Sequence, residues 1–265
     1  MEIPSPAQDV VAEYQRRIED ALPGFVDSLH LTGSIAMCAY RHGRSDIDFV
    51  TVTKAALNGF DTTSLANIHA AMPEIPMLDG LYVTAAQLCD NGIGHFIRAT
   101  DGEVHTVHDR LPVMTRYELH HHAVTLKGRT PQAHGLCVDS NDVNEWLRDN
   151  LNGYWTDYAE HLRGAVHGRA LEDPVNPEAV TWAATGPQRL HYTLATGSVI
   201  SKQEALDYAK QQFPCTDTDL LDRSLGWRDA GTGSFTVSDA YKAADHIDSV
   251  VEASVSLVTC DDAEA

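Results

Sequence analysis

A Gly-Ser dipeptide, followed after eleven residues by two aspartates spaced two apart, constrains this chain more than any other stretch. Residues 30–53 read HLTGSIAMCAYRHGRSDIDFVTVT. An apolar run through Val26, Leu29 and Leu31 ends at Gly33-Ser34, and Asp46 and Asp48 open the apolar run that follows. The pattern predicts a strand to about residue 32, a tight turn, a helix over 34–40 and a strand over 46–53. Strand side chains alternate between faces, so Asp46 and Asp48 leave the same face. Two such carboxylates can share a divalent cation, and a Gly-Ser turn opening a helix offers backbone N–H groups to a phosphate. These are the parts of a metal-dependent phosphoryl or nucleotidyl transfer site. Each half alone is common: an Asp-x-Asp is usually a solvated strand edge, and a Gly-Ser is usually a turn. The ordered combination carries the signal.

Composition narrows the setting. The chain has 265 residues, enough for one large or two small domains with real cores. It has 43% hydrophobic residues and no continuous 18-residue apolar run, so no membrane span is expected. The first fifteen residues, MEIPSPAQDVVAEYQ, lack a basic segment leading into an apolar stretch, which argues against a secretory leader. Five cysteines are scattered with no C-x-x-C pair, so neither a zinc site nor a disulfide framework is expected, and a cytoplasmic protein with free thiols is. The formal net charge of −19 argues against nucleic acid as a partner, because a polyanion binder needs a basic face. The same charge suits a cationic small molecule, although acidity also simply keeps a protein in solution.

The pattern changes along the chain. A helix is predicted over 6–22, stopped by Pro23-Gly24; a second over 61–72, capped by Asp61-Thr62-Thr63; and a strand over 81–86, led in by an Asp79-Gly80 turn. This order predicts a mixed sheet with helices on one side. Residues 87–135 show polar breaks and one helical stretch at 114–123, and read as loops and an ordered insertion. From 139 onward the spacing is helical: an amphipathic stretch over 141–165, then 177–195, 201–212, 216–227 and 236–258, with a frayed tail TCDDAEA. The turns between them fall at Thr196-Gly197, Phe213-Pro214 and Gly231-Thr232-Gly233. The expected organisation is α+β, with a mixed-sheet domain over 1–138 and a helical bundle over 139–265. The bundle holds 22 acids against nine Lys and Arg, so most of the negative charge lies there.

With these stretches in place the chain resembles the aminoglycoside (3'')(9)-adenylyltransferase family, whose members modify streptomycin and spectinomycin. The N-terminal motif carries the likeness, and so does RLHYTLATGSVISKQEALDYAKQQFP (189–214). That segment is similar to the family's second-domain run of an aromatic-Tyr pair, a small-Thr-Gly turn, a Lys-containing cap and a helix ending near Pro. The resemblance implies that Gly33 and Ser34 hold a triphosphate, that Asp46 and Asp48 hold Mg²⁺ bridging the phosphates of ATP, and that AMP passes to a hydroxyl of an acceptor held between the domains. Further phosphate contacts are expected from Arg44 and Ser45, in the loop before the aspartates, and from Lys202 and Arg223.

Two departures bear on mechanism. The family carries a catalytic glutamate in an L-E-V-T context; the matching stretch here is Leu81-Tyr82-Val83-Thr84, which puts Tyr82 in its place. A tyrosine is a poor base at neutral pH, so Asp79 becomes the first candidate for general base, with a histidine such as His105 or His108 behind it. The family's second-domain Trp-Tyr pair reads His191-Tyr192. Two functions stay open: an adenylyltransferase acting on a small cationic, hydroxylated acceptor, and a nucleotide-binding sensor or regulator that keeps the metal site without transfer. A transferase acting on a protein or RNA hydroxyl is a narrower third. The run His120-His121-His122 reads as a polar helix end, because consecutive helical residues point about 100° apart. Trp146, Trp155 and Trp182, with Tyr154, Tyr158 and Tyr192, read mostly as bundle core.

Overall fold

Burial on both sides of its central strands organises the N-terminal half. The computed structural model describes residues 3–213 and 216–261. The chain divides into two compact units, Met1–Asp139 and Ser140–Ala265. The first is built on a six-stranded sheet of β1 (Val26–Leu31), β2 (Ile47–Thr53), β3 (Leu78–Thr84), β4 (Gly94–Thr100), β5 (Glu103–Asp109) and β6 (Val124–Lys127). Their order is β5-β4-β3-β2-β1-β6. Only β2 and β3 run parallel; the other pairs are antiparallel, so the sheet is mixed as expected.

The helices are α1 (Ser5–Ala21), the single turn α2 (Gly33–Ala36), α3 (Gly59–Ala70), α4 (Ala85–Cys89) and α5 (Val113–His122). They do not lie on one side. Ile47, Phe49, Tyr82, Ile97 and Ala99 pack with Tyr14 and Ile18 of α1 and Leu65 and Ile68 of α3. Val50, Val52, Leu81, Val83 and Phe96 pack with Leu88 of α4, Leu119 of α5, Leu111 and Leu136. The reason lies in the strands themselves. Six of the seven β2 residues are buried, and a strand apolar on both faces needs a cover on both.

Other boundaries moved for local reasons. The expected helix over 34–40 shrinks to one turn, because Cys38 takes a left-handed φ of 54° that ends it. Helix α3 is capped by Asn58, not by Asp61-Thr62-Thr63; Asp61 instead returns a bond to the Asn58 N–H from the third helical position, completing a reciprocal capping box. Asp79-Gly80 is no turn: both residues lie inside β3, opposite Asp48 and Phe49. A Cβ at Gly80 would sit 2.1 Å from the Phe49 carbonyl oxygen, so only glycine allows the two strands to approach there. The stretch over 87–135 holds three strands the periodicity did not reveal, β4, β5 and β6.

The second unit comprises α6 (Ser140–Asn150), a π-helical turn at Leu151–Trp155, α7 (Thr156–Val166), α8 (Pro177–Thr185), α9 (Pro187–Thr196), α10 (Lys202–Gln212), α11 (Thr218–Ala230) and α12 (Val237–Asp261). Leu151, Trp155, Leu162, Leu206, Leu220, Leu221, Ile247 and Val250 form its core. The expected helix over 177–195 is two, broken at Gly186 before Pro187, whose ring cannot continue the preceding turn. The unit is not purely helical. Pro174–Val175 and Phe235–Thr236 form a two-residue antiparallel ladder, β7 and β8. Most of the expected frayed tail, and Pro214 of the expected Phe213-Pro214 turn, lie outside the described residues. No helix among the described residues is long and apolar enough to cross a membrane.

Candidate functional site

The antiparallel pairing of β1 with β2 brings the end of one strand over the start of the other. Leu31 pairs with Phe49, and the Thr32 N–H donates to the Asp48 carbonyl at 3.0 Å. Gly33 therefore lies directly over Asp48. Its φ is +57°, and a Cβ built on it would meet Asp48 Oδ2 at 2.0 Å. Two independent requirements, left-handed backbone and missing side chain, select glycine here. Asp48 is half-buried beneath it, and Asp46 is exposed at the mouth of the strand.

Parallel in-register pairing then sets a third carboxylate beside the first two. Asp48 pairs with Asp79, and strand alternation sends both side chains to the face of Val50 and Leu81. Thr100 Oγ1, at the end of β4, donates to Asp79 Oδ2 at 3.2 Å. Burial, then the nearby Asp46 charge, raises the Asp79 carboxyl above its ordinary value. Tyr82 goes elsewhere. It is wholly buried on the α1/α3 face, where Tyr14 Oη donates to its oxygen at 2.8 Å and His69 Nε2 lies 2.8 Å away. Three residues from Asp79, it points to the opposite side of the sheet, so the register leaves the place beside Asp48 to Asp79.

Three buried polar atoms around these aspartates have no hydrogen-bond partner: Ser34 Oγ, Tyr40 Oη and Asp79 Oδ1. Each is tied to the pair. Ser34 follows the glycine that covers Asp48, Asp79 pairs with Asp48, and the Tyr40 hydroxyl is raised by burial and by Asp46. Buried polar atoms are nearly always partnered, so three partnerless ones on residues tied to the same aspartates are what a ligand could complete. The inventory restricts the ligand. Two hydroxyls have protons to donate, and three carboxylates seek positive charge. A polyphosphate carrying a divalent cation meets both demands at once. Among the described residues no set of three or more His, Cys, Asp or Glu has the arrangement of a complete protein metal site.

The remaining expected residues fall as follows. Arg44 is exposed, on the turn leading into β2. Ser45 is buried, and its hydroxyl accepts the Arg41 N–H at 3.0 Å, so it closes that turn. In the second unit, Lys202 opens α10 with Nζ 5.9 Å from the centre of the Trp182 ring. Arg223 is engaged by carboxylates: Nη1 and Nη2 on Asp239 at 3.1 and 2.5 Å, Nε on Asp219 at 2.7 Å. That geometry reads as a brace between α11 and the start of α12. His191 is buried, with Nδ1 2.7 Å from Tyr208 Oη. His105 and His108 lie exposed on the edge strand β5, two strands from Asp79, and His108 stacks on His95 at 4.1 Å. Sequence reasoning missed Tyr40 and Thr100. Nothing in the pattern marks Tyr40, but the Asp101-Gly102 dipeptide is a hairpin signal that places Thr100 at a strand end.

No protein-family model and no curated protein matches the sequence. The fold does match the crystal structure of spectinomycin adenyltransferase AAD(9) from Enterococcus faecialis with ATP and spectinomycin. The TM-score is 0.68 at 10% identity, over 92% of this chain and 99% of that one. The shared property is the fold.

Proposed function

We propose that this protein is a metal-dependent nucleotidyltransferase that moves AMP from ATP to a hydroxyl of a small cationic acceptor, an aminocyclitol or aminoglycoside. The observation that carries the reading is the cluster of partnerless buried atoms, Ser34 Oγ, Tyr40 Oη and Asp79 Oδ1, around Asp46 and Asp48. Its donors and carboxylates match a metal–triphosphate, and the fold is one in which an adenyltransferase has been crystallised with ATP and spectinomycin.

Asp46 and Asp48 would hold the cation. Bound there, a divalent ion neutralises phosphate charge and stabilises the departing pyrophosphate. Ser34 donates its hydroxyl to a phosphate oxygen under the cover of the Gly33 turn. Asp79 is the general base. Its affinity for a proton is already raised, and Thr100 holds one oxygen while the other stays free. The acceptor oxygen bonds to the α-phosphorus as its proton passes to Asp79, and the bond from that phosphorus to the bridging oxygen breaks, releasing pyrophosphate. The sensor reading drew on Tyr82 replacing a glutamate. With Tyr82 on the other side of the sheet, that argument no longer favours it.

The test is pyrophosphate release from Mg–ATP against a panel of aminocyclitols and aminoglycosides. A spectinomycin-like acceptor is expected to elicit release. Asp48→Asn is expected to lose both nucleotide binding and release. Asp79→Asn is expected to bind nucleotide and to lose about a hundredfold or more in rate. Full activity in Asp79→Asn would remove it as base. Tight Mg–ATP binding with no release for any acceptor would favour the sensor.

A further inference from the structure

We propose that Tyr40 is a nucleotide-binding residue of this site, its phenolic hydroxyl donating to a phosphate oxygen of the bound metal–nucleotide. The assignment rests on the nucleotide reading above and names a residue no motif there includes. Tyr40 lies in the connection between the α2 turn and the aspartates, two residues beyond the left-handed Cys38 that sends the chain away from the helix. Its ring packs on the core of the α1/α3 side. Its oxygen is buried and has no partner.

A tyrosine whose ring serves the core normally extends its hydroxyl to water or to an acceptor. Here the hydroxyl does neither. The Asp46 charge acts on it, yet no acceptor bonds to it. The placement is costly for the free protein and useful only if something arrives between the two. An ordinary phenol is protonated at neutral pH, so it can donate but does not add a negative charge. The arriving atom must therefore accept a hydrogen bond and still be tolerated beside a carboxylate. A phosphate oxygen whose charge is neutralised by the cation on Asp46 and Asp48 satisfies both conditions. Ser34, in the turn that covers Asp48, contributes a second partnerless hydroxyl.

The decisive substitution is Tyr40→Phe, which keeps the ring and removes only the oxygen. Affinity for a non-hydrolysable Mg–ATP analogue, measured by calorimetry, is expected to fall by about tenfold, the usual worth of a hydrogen bond to a charged group. The thermal midpoint of the ligand-free protein is expected to stay level or rise, because an unsatisfied buried hydroxyl has gone. The opposite movement of the two readouts separates a ligand contact from a packing role. Unchanged affinity in Tyr40→Phe, with the wild type binding normally, would overturn the assignment while leaving the nucleotide reading in place. A lower midpoint with unchanged affinity would make Tyr40 a structural residue. A wild type that binds no Mg–nucleotide would overturn both.

Discussion

On the α1/α3 face of β3, Tyr82 Oη is wholly buried, yet it receives the Tyr14 hydroxyl and meets His69 Nε2, while Thr51 Oγ1 lies 3.0 Å from Tyr14 Oη. On the other face of the same strand, Asp79 Oδ1 is also buried and has no partner, and Ser34 Oγ and Tyr40 Oη share that condition around the aspartates. The first set is a closed network joining α1, α3 and the sheet. The second is open. Saturated buried polar groups hold a fold together, and unsaturated ones beside carboxylates are those a ligand can complete. A loss from the closed set should thus cost stability without touching binding, and a loss from the open set should do the reverse.

Gly33→Ala should break this division most severely, because Gly33 serves both ends of it. The left-handed backbone costs about 1–3 kcal/mol once a Cβ is present, and the Cβ would collide with Asp48 Oδ2. Loss of detectable Mg–nucleotide binding together with a lower unfolding midpoint is expected. Wild-type affinity would show that Gly33 does not govern the position of Asp48.

Tyr82→Phe sharpens the contrast. It leaves Tyr14 without its acceptor and His69 without its partner in a dry interior, a loss of about 1–2 kcal/mol, measurable by urea unfolding. Nucleotide affinity and pyrophosphate release are expected to remain at wild-type values. A variant that is equally stable but inactive would place Tyr82 in the chemistry after all.

Smaller, and opposite in sign on the two faces, is the response to pH. Burial depresses His69 to about 4. Between that value and the ordinary 6.5 the unfolded chain binds a proton that the folded chain refuses, so stability rises with pH across this window and is lost as pH falls. His30 and His246 are depressed to about 4 by the same cause. Each contributes a slope of about 1.4 kcal/mol per pH unit at most. Asp79 acts the other way. Its raised carboxyl binds a proton more readily folded than unfolded, so it contributes stability at low pH that is lost as pH rises. Urea midpoints between pH 4.5 and 7 should rise with pH, more gently in His69→Gln and more steeply in Asp79→Asn. A flat profile in the wild type would contradict the burial of these histidines as neutral rings.

The sequence by itself determined the beginning of the candidate site. Period-two alternation put Asp46 and Asp48 on one face, and a glycine before Ser34 marked a backbone that other residues resist. It also determined the change to helical spacing near residue 139, because amphipathic periodicity is a local property. It did not reveal β4 and β5, whose hairpin runs along an exposed edge. The outer strand, Glu103 to Asp109, carries no clean apolar stripe: Val104 and Val107 are only half-buried and its other residues are exposed. Without burial contrast there is no periodic signal to read. Only the tertiary structure decided which residue stands beside Asp48. Local pattern matched Tyr82 to a family glutamate, but parallel register pairs Asp48 with Asp79 and turns Tyr82 to the far side, and register is set by contacts between strands some thirty residues apart. The same holds for Tyr40, because whether a buried hydroxyl finds a partner depends on what every neighbouring element leaves within reach.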